Sequence, residues 1–224
     1  MENYLKKILL KEMIRTLTIL KLDVKMLKLK LINLFKIKTL TRLTLERKLF
    51  KILAKTELGS VLDIGSGFAP YEKNIQVQNY TTLDIKKEVR PDILCDVHNI
   101  KSRKKFNTVL ATELLEHCYD PQKAVDEMYR VLNTRGTCIL STRFIFGLHG
   151  TDYYRFTDQA LRHLFKKFKK VTVYPLGNKY SAIWDLTTLS IPLFKPLMIV
   201  NSSLIKLIKD STFNSNGYLV VAIK

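Results

Sequence analysis

Residues 61–70, Val-Leu-Asp-Ile-Gly-Ser-Gly-Phe-Ala-Pro, restrict what this chain can fold into more than any other stretch. A short apolar run carries an acid, Asp63, and then meets two glycines two residues apart. A strand cannot run on through Gly65-Ser66-Gly67. Glycine adopts the left-handed conformations of a tight turn, and without a Cβ it lets backbone N–H groups approach a ligand closely. Strand and glycine turn are the first half of a nucleotide-binding crossover. The dinucleotide fingerprint is excluded, because its third glycine would fall where Pro70 stands.

The spacing of the later strands extends the pattern. Tyr80–Ile85 reads as a second strand closing on Asp84, about 20 residues beyond Asp63, where nucleotide-binding α/β folds place an acid for the ribose hydroxyls. A carboxylate suits that position because it only accepts and has room for both hydroxyls. Asp92–Val97 reads as a third short strand ending at Asp96. Only Lys86–Pro91 lie between these strands, whereas parallel neighbours usually need a crossover of about a dozen residues. The connection is therefore expected to be irregular or to skimp on its helix. Phe106–Thr112 is the fourth strand, and Glu113-Leu114-Leu115-Glu116-His117 follows at its carboxyl end, where open parallel sheets bind ligands. Asp120-Pro121 opens a helix as N-cap and first-turn proline. Val125, Met128 and Leu132 are expected to form its buried stripe and Gly136 to end it. Thr137–Thr142 is the fifth strand. Thr157 caps a helix with Leu161, Leu164, Phe165 and Phe168 inward. Val171–Leu176 and Tyr218–Ile223 read as strands six and seven, separated by an apolar insertion at 177–217 that Pro192 and Pro196 break. The insertion is too interrupted to span a bilayer, and reads as a substrate lid or a membrane-contacting element.

V-L-D-I-G-S-G resembles the first motif of class I S-adenosylmethionine-dependent methyltransferases, and E-L-L-E-H-C-Y-D-P is a second match to that family, in order and at suitable spacing. The resemblance covers residues 58–175. It implies an α/β, Rossmann-like fold with a mostly parallel seven-stranded sheet, an antiparallel last strand and helices on both faces. It implies S-adenosyl-L-methionine as cofactor, with Asp63, Gly65, Ser66, Gly67, Asp84, Ile85, Asp96, Val97 and Glu113 as the binding set. In that set the Asp96 side chain meets the adenine amino group, the Val97 backbone meets the ring, and Glu113 approaches the methionine part. His149-Gly150-Thr151-Asp152-Tyr153-Tyr154-Arg155-Phe156-Thr157 resembles the D-Y-Y-R-F-T signature of a subgroup associated with surface-glycan synthesis in bacteria and archaea.

That segment comes after strand five, on the acceptor side of such a fold. His149 is the candidate base, since an unperturbed imidazole titrates near working pH. Tyr153 and Tyr154 offer flat faces with polar tips, suited to a sugar ring. Arg155 offers a bidentate clamp for phosphate or carboxylate. The alternative is that the tyrosines pack and Arg155 pairs with Asp152. Glu116 and His117 are lining or structural residues, with His117 a second candidate base. No metal-ligand constellation is visible in the sequence.

Ahead of this unit lies a basic stretch. Residues 1–57 hold fifteen Lys/Arg against five Asp/Glu, more than half of the net +18. Met13, Leu17, Leu20, Val24, Leu27, Leu31 and Leu34 recur at spacings of four and three, which predicts an amphipathic helical leader. Its wide apolar face rimmed by lysine suits a membrane surface, or packing on the catalytic unit or a second copy, with a nucleic-acid-binding arm as the third reading. Leu43–Leu53 reads as a further helix feeding strand one. The expected division is a leader at 1–57 and a methyltransferase domain at 58–224.

The three cysteines make no C-x-x-C pair, so a disulfide framework and a zinc site are not expected, and a reducing cytoplasm fits. The function expected is methyl transfer to a small-molecule, saccharide or lipid-linked acceptor, in the cytoplasm or on the inner face of the membrane. The competing readings are a nucleic-acid (RNA) methyltransferase, suggested by charge alone, and a non-catalytic cofactor-binding scaffold. The oligomeric state is left open.

Overall fold

The computed structural model describes residues 11–12, 38–147 and 150–224. The leader's Met13–Leu34 stripe and His149 lie outside these residues. The elements are α1 (Leu40–Leu53), β1 (Val61–Ile64), β2 (Tyr80–Asp84), β3 (Ile93–Leu94), β4 (Phe106–Thr112), α2 (Pro121–Val131), β5 (Leu132–Arg143), α3 (Asp158–Leu164), β6 (Lys170–Leu176), α4 (Lys179–Ser190), α5 (Asn201–Leu204) and β7 (Gly217–Ile223). They build one seven-stranded sheet in the order β3-β2-β1-β4-β5-β7-β6. The first five strands pair in parallel, and β7 runs antiparallel to both β5 and β6. The expected seven-stranded, mostly parallel sheet with an antiparallel last strand is the observed one.

The pleat splits each strand between two cores. On one face Leu62, Ile64, Val109, Cys138, Leu140 and Val220 pack under α2 and α3. On the other, Val61, Leu110, Ile139 and Leu219 pack under Leu45, Leu49 and Leu53 of α1, joined by Tyr71. α1 lies before residue 58 in sequence and yet supplies Leu45, Leu49 and Leu53 to this core layer. Thr39 caps it by accepting from the Arg42 N–H.

The β2–β3 connection does skimp on its helix. A single 3₁₀ turn at Lys87–Val89 is ended by Arg90 in a left-handed conformation, and β3 is two residues long. Asp92 holds the short crossover by accepting from both the backbone N–H and the hydroxyl of Thr82. Asp120 caps α2 and Pro121 opens it, with Ala124, Val125, Met128 and Val131 buried. The expected helix end is displaced. Leu132 begins β5 and Gly136 lies inside that strand, so this glycine does not cap a helix. A Cβ there would sit 2.9 Å from the Asn133 carbonyl oxygen, so close backbone approach explains the residue instead. The insertion contains α4, whose N-terminus carries an Asn178–Ser181 capping box, then 3₁₀ turns around α5. Among the described residues no helix is long and apolar enough to cross a membrane.

Candidate active site

The carboxyl ends of β1, β2, β3 and β4 open into one cavity of about 540 Å³. It is lined by Gly65, Gly67, Asp84, Ile85, Asp96, Val97 and Glu113 from the expected binding set. Gly65 and Gly67 both take left-handed φ values, 67° and 53°. A Cβ on Gly65 would meet Leu114 Cδ1 at 2.7 Å, while one on Gly67 would meet nothing within 4 Å. Gly65 is therefore required by packing as well as by conformation, and Gly67 by conformation alone. Asp84 braces this turn: its Oδ2 accepts from the Gly67 N–H at 2.9 Å and its Oδ1 from the Lys86 N–H at 2.9 Å. Each oxygen keeps a lone pair for a further donor.

At β3, Asp96 Oδ1 accepts from the His98 N–H and pairs with His98 Nδ1 at 2.5 Å. The other imidazole nitrogen accepts from the Asp120 N–H, so Nδ1 carries the proton. Burial opposes ionisation of Asp96, but these bonds outweigh it and hold its carboxyl below the usual range. Tyr119 stacks on His98 with centroids 4.0 Å apart and also lines the cavity. Ile85 lines the same cavity.

A second cavity of about 390 Å³ adjoins the first and shares Gly65, Gly67, Phe68, Glu113 and His117 with it. Ser66 lines this one, and its buried Oγ has no hydrogen-bond partner among the described residues. Glu113 stands between the cavities in a left-handed conformation, φ 51°, with its N–H given to Ser141. Two guanidiniums, Arg42 of α1 and Arg143 at the end of β5, each donate to Glu113 Oε2 at 2.8 Å. Glu116 is almost fully buried; Thr142 donates to its Oε2, and its Oε1 has no hydrogen-bond partner among the described residues. Burial raises its pKa. His117 Nδ1 lies 2.5 Å from the Thr151 carbonyl oxygen. A carbonyl only accepts, so Nδ1 carries a proton, and in the neutral imidazole Nε2 holds the lone pair.

The structure brings most of the expected residues together, and sets three apart. Asp63 lines neither cavity. It is buried beneath the turn, where the Tyr80 hydroxyl donates to Oδ2 at 2.6 Å. Arg155 is paired bidentately with Asp152, at 2.6 and 2.7 Å, and lines neither cavity. Tyr154 lines neither as well and donates to the Tyr119 carbonyl, whereas Tyr153 reaches the first cavity. Sequence reasoning missed Arg42 and Arg143. Nothing in their spacing marks them, because α1 and β5 meet at Glu113 only in the folded chain. Among the described residues no group of His, Cys, Asp and Glu is placed to hold a metal ion.

Several solved structures share this architecture. A phosphoethanolamine N-methyltransferase 2 of Haemonchus contortus, in complex with S-adenosyl-L-methionine, superposes with a TM-score of 0.52 at 18% identity over 75% of this chain; the match spans 49% of that longer protein, so this chain covers about half its length. A SAM-dependent methyltransferase of Archaeoglobus fulgidus matches with a TM-score of 0.55 at 16% identity, over 82% of this chain and 94% of that one. The N-methyltransferase NodS of Bradyrhizobium japonicum WM9 matches with a TM-score of 0.52 at 11% identity, over 80% and 96%. At these identities the likeness is one of fold. No curated protein matches the sequence. A family model described as a methyltransferase domain matches residues 33–174, well over half of the chain, and the chain belongs to that family.

Proposed function

We propose that this protein transfers a methyl group from S-adenosyl-L-methionine to an acceptor that enters beside the second cavity. One observation carries the proposal: the Gly65–Gly67 turn, Asp84, Asp96, Val97 and Glu113 converge on a single cavity at the carboxyl ends of four adjacent strands. The turn fits such a ligand, since Gly67 leaves open space and Asp84 keeps acceptor capacity. When bound, this cofactor supplies a methyl group already activated on a sulfonium.

The protein's part is then placement and proton removal. Asp84 receives the ribose hydroxyls, and the part of the cavity lined by Asp96, Val97, His98 and Tyr119 receives the adenine. Arg42 and Arg143 place two guanidiniums beside Glu113, donors suited to a carboxylate. His117 Nε2 is free to take a proton from an acceptor hydroxyl or amine. His149 is the other candidate base.

The finer reading is a saccharide or lipid-linked acceptor at a membrane surface. It is supported by the D-Y-Y-R-F-T resemblance, by the net charge of +18, and by exposed apolar side chains in the insertion, among them Leu193, Leu197, Leu207 and Phe213. Incubation with methyl-labelled cofactor and fractionated cell extract tests it. Label is expected in a glycan or lipid fraction. Label that ribonuclease removes would favour the RNA reading, and cofactor binding with no labelled fraction would favour a scaffold.

A further inference from the structure

We infer that Asp185, in the insertion, is a positioning residue for the cofactor site: it fixes the first turn of α1 and through it the Arg42 guanidinium. Among the described residues none of 177–216 lines either cavity, so the insertion acts on the site through another element and through the charge of Asp185 near Arg143. That element is α1. The first N–H groups of a helix have no partner inside it and favour a negative charge. Asp185 supplies one, with Oδ1 accepting from the Leu40 N–H at 2.9 Å and Oδ2 from the Thr41 N–H at 2.7 Å and the Thr41 hydroxyl at 2.6 Å. Asn216 donates to the same Thr41 hydroxyl oxygen at 2.7 Å, and Ser181 donates to Asn216. Asn201 donates to the Lys38 carbonyl and accepts from Trp184.

Every polar side chain at the centre of this latch is buried: Thr41, Ser181, Asp185, Asn201 and Asn216. A buried carboxylate is expensive unless fully hydrogen-bonded, and such a network specifies one geometry more than it adds stability. The geometry it specifies is the turn that ends in Arg42. Arg42 follows Thr41 directly and reaches Glu113 Oε2 opposite Arg143. A displacement of about 1 Å in that turn would separate the pair, and errors of that size are felt at reacting centres. The fold thus uses the segment between β6 and β7, on the far side of the sequence, to set one wall of the cofactor site.

The inference rests on the reading of the two cavities as that site, and calorimetry on the full chain separates the two. Wild-type protein is titrated with S-adenosylhomocysteine and with 5′-methylthioadenosine, which lacks the amino-acid end. If the wild type binds neither, the reading of the site fails and this inference with it. If it binds, Asp185→Asn is expected to weaken S-adenosylhomocysteine about tenfold and leave methylthioadenosine unchanged. Asp185→Asn combined with Arg42→Gln should then be no weaker than Arg42→Gln alone. Equal losses for both ligands, no loss, or losses that multiply in the double variant would overturn the inference. Should Asp185→Asn not fold, hydrogen exchange on the wild type decides, because coupling is reciprocal. S-adenosylhomocysteine is expected to slow exchange in residues 179–190 and methylthioadenosine is not; unchanged exchange there with both ligands overturns it.

Discussion

Asp63 is the acid of the signature stretch, yet its carboxyl faces Tyr80 and not a cavity. Burial, helped by the nearby Asp84 and Glu72 and opposed by the Tyr80 hydrogen bond, pushes its pKa up to about 7. A carboxyl whose folded pKa is raised holds its proton more tightly when folded. Its contribution to stability is therefore present below about pH 4 and is lost as pH rises to about 7. Asp63→Asn removes that titration. Relative to wild type, the variant is expected to gain stability steadily between those limits, by on the order of a few kcal/mol in all, as read from urea midpoints; a difference that stays flat with pH would refute the assignment. At the turn itself, Gly65→Val places a side chain on Leu114 at a left-handed φ and should abolish cofactor binding. Asp84→Ala removes acceptors for both the turn and the ribose, and should weaken binding by about 1–3 kcal/mol. Unchanged titrations for both variants would remove the site.

At the scale of elements, the segment after β5 is held by backbone as much as by side chains. The Tyr153 N–H donates to the Glu116 carbonyl, and the Thr151 carbonyl meets His117. This ties the D-Y-Y-R-F-T stretch to the E-L-L-E-H stretch and makes one wall beside the cavities of two motifs. His117→Gln should leave S-adenosylhomocysteine binding intact and lower turnover, by roughly 10²–10⁴ if His117 is the base. Unaltered turnover would pass that role to His149, Glu116 or water. Arg155→Lys breaks a bidentate pair with a sheltered Asp152. It is expected to lower the melting temperature with activity falling in step; loss of activity in a protein of unchanged melting temperature would restore Arg155 to the acceptor site.

For the whole molecule the dominant quantities are a net charge of +18, concentrated in the first 57 residues, and the exposed apolar side chains of the insertion. The Lys38 carbonyl is hydrogen-bonded to Asn201 of that insertion. Liposome flotation is expected to show binding that needs acidic lipid and weakens with salt. Removal of residues 1–37 should reduce it. Flotation that survives the truncation would shift the anchor to the insertion, and insolubility of the truncated chain would mark the leader as part of the core.

The strand that ends in Gly65-Ser66-Gly67, the acid at the end of the next strand and the succession of parallel strands were all determined locally. Glycine conformation, strand periodicity and capping act over a few residues, and a few residues suffice to read them. The placement of Asp84 and Glu113 on the cavity was legible for the same reason, since one ends β2 and the other follows β4 directly; Asp96 and Val97 lie beyond the two-residue β3, at a 3₁₀ turn, and not at the end of the longer strand the pattern suggested. The end of α2 was not legible, because Val131 passes directly into β5 and Gly136 answers to the backbone around it, not to a helix terminus. Nor were the roles of Arg42, Arg143 and Asp185. Arg42 meets Glu113 across 71 residues and Thr41 meets Asp185 across 144. Charge pairing and burial over such separations depend on which faces the sheet brings together, and only the packed chain decides that.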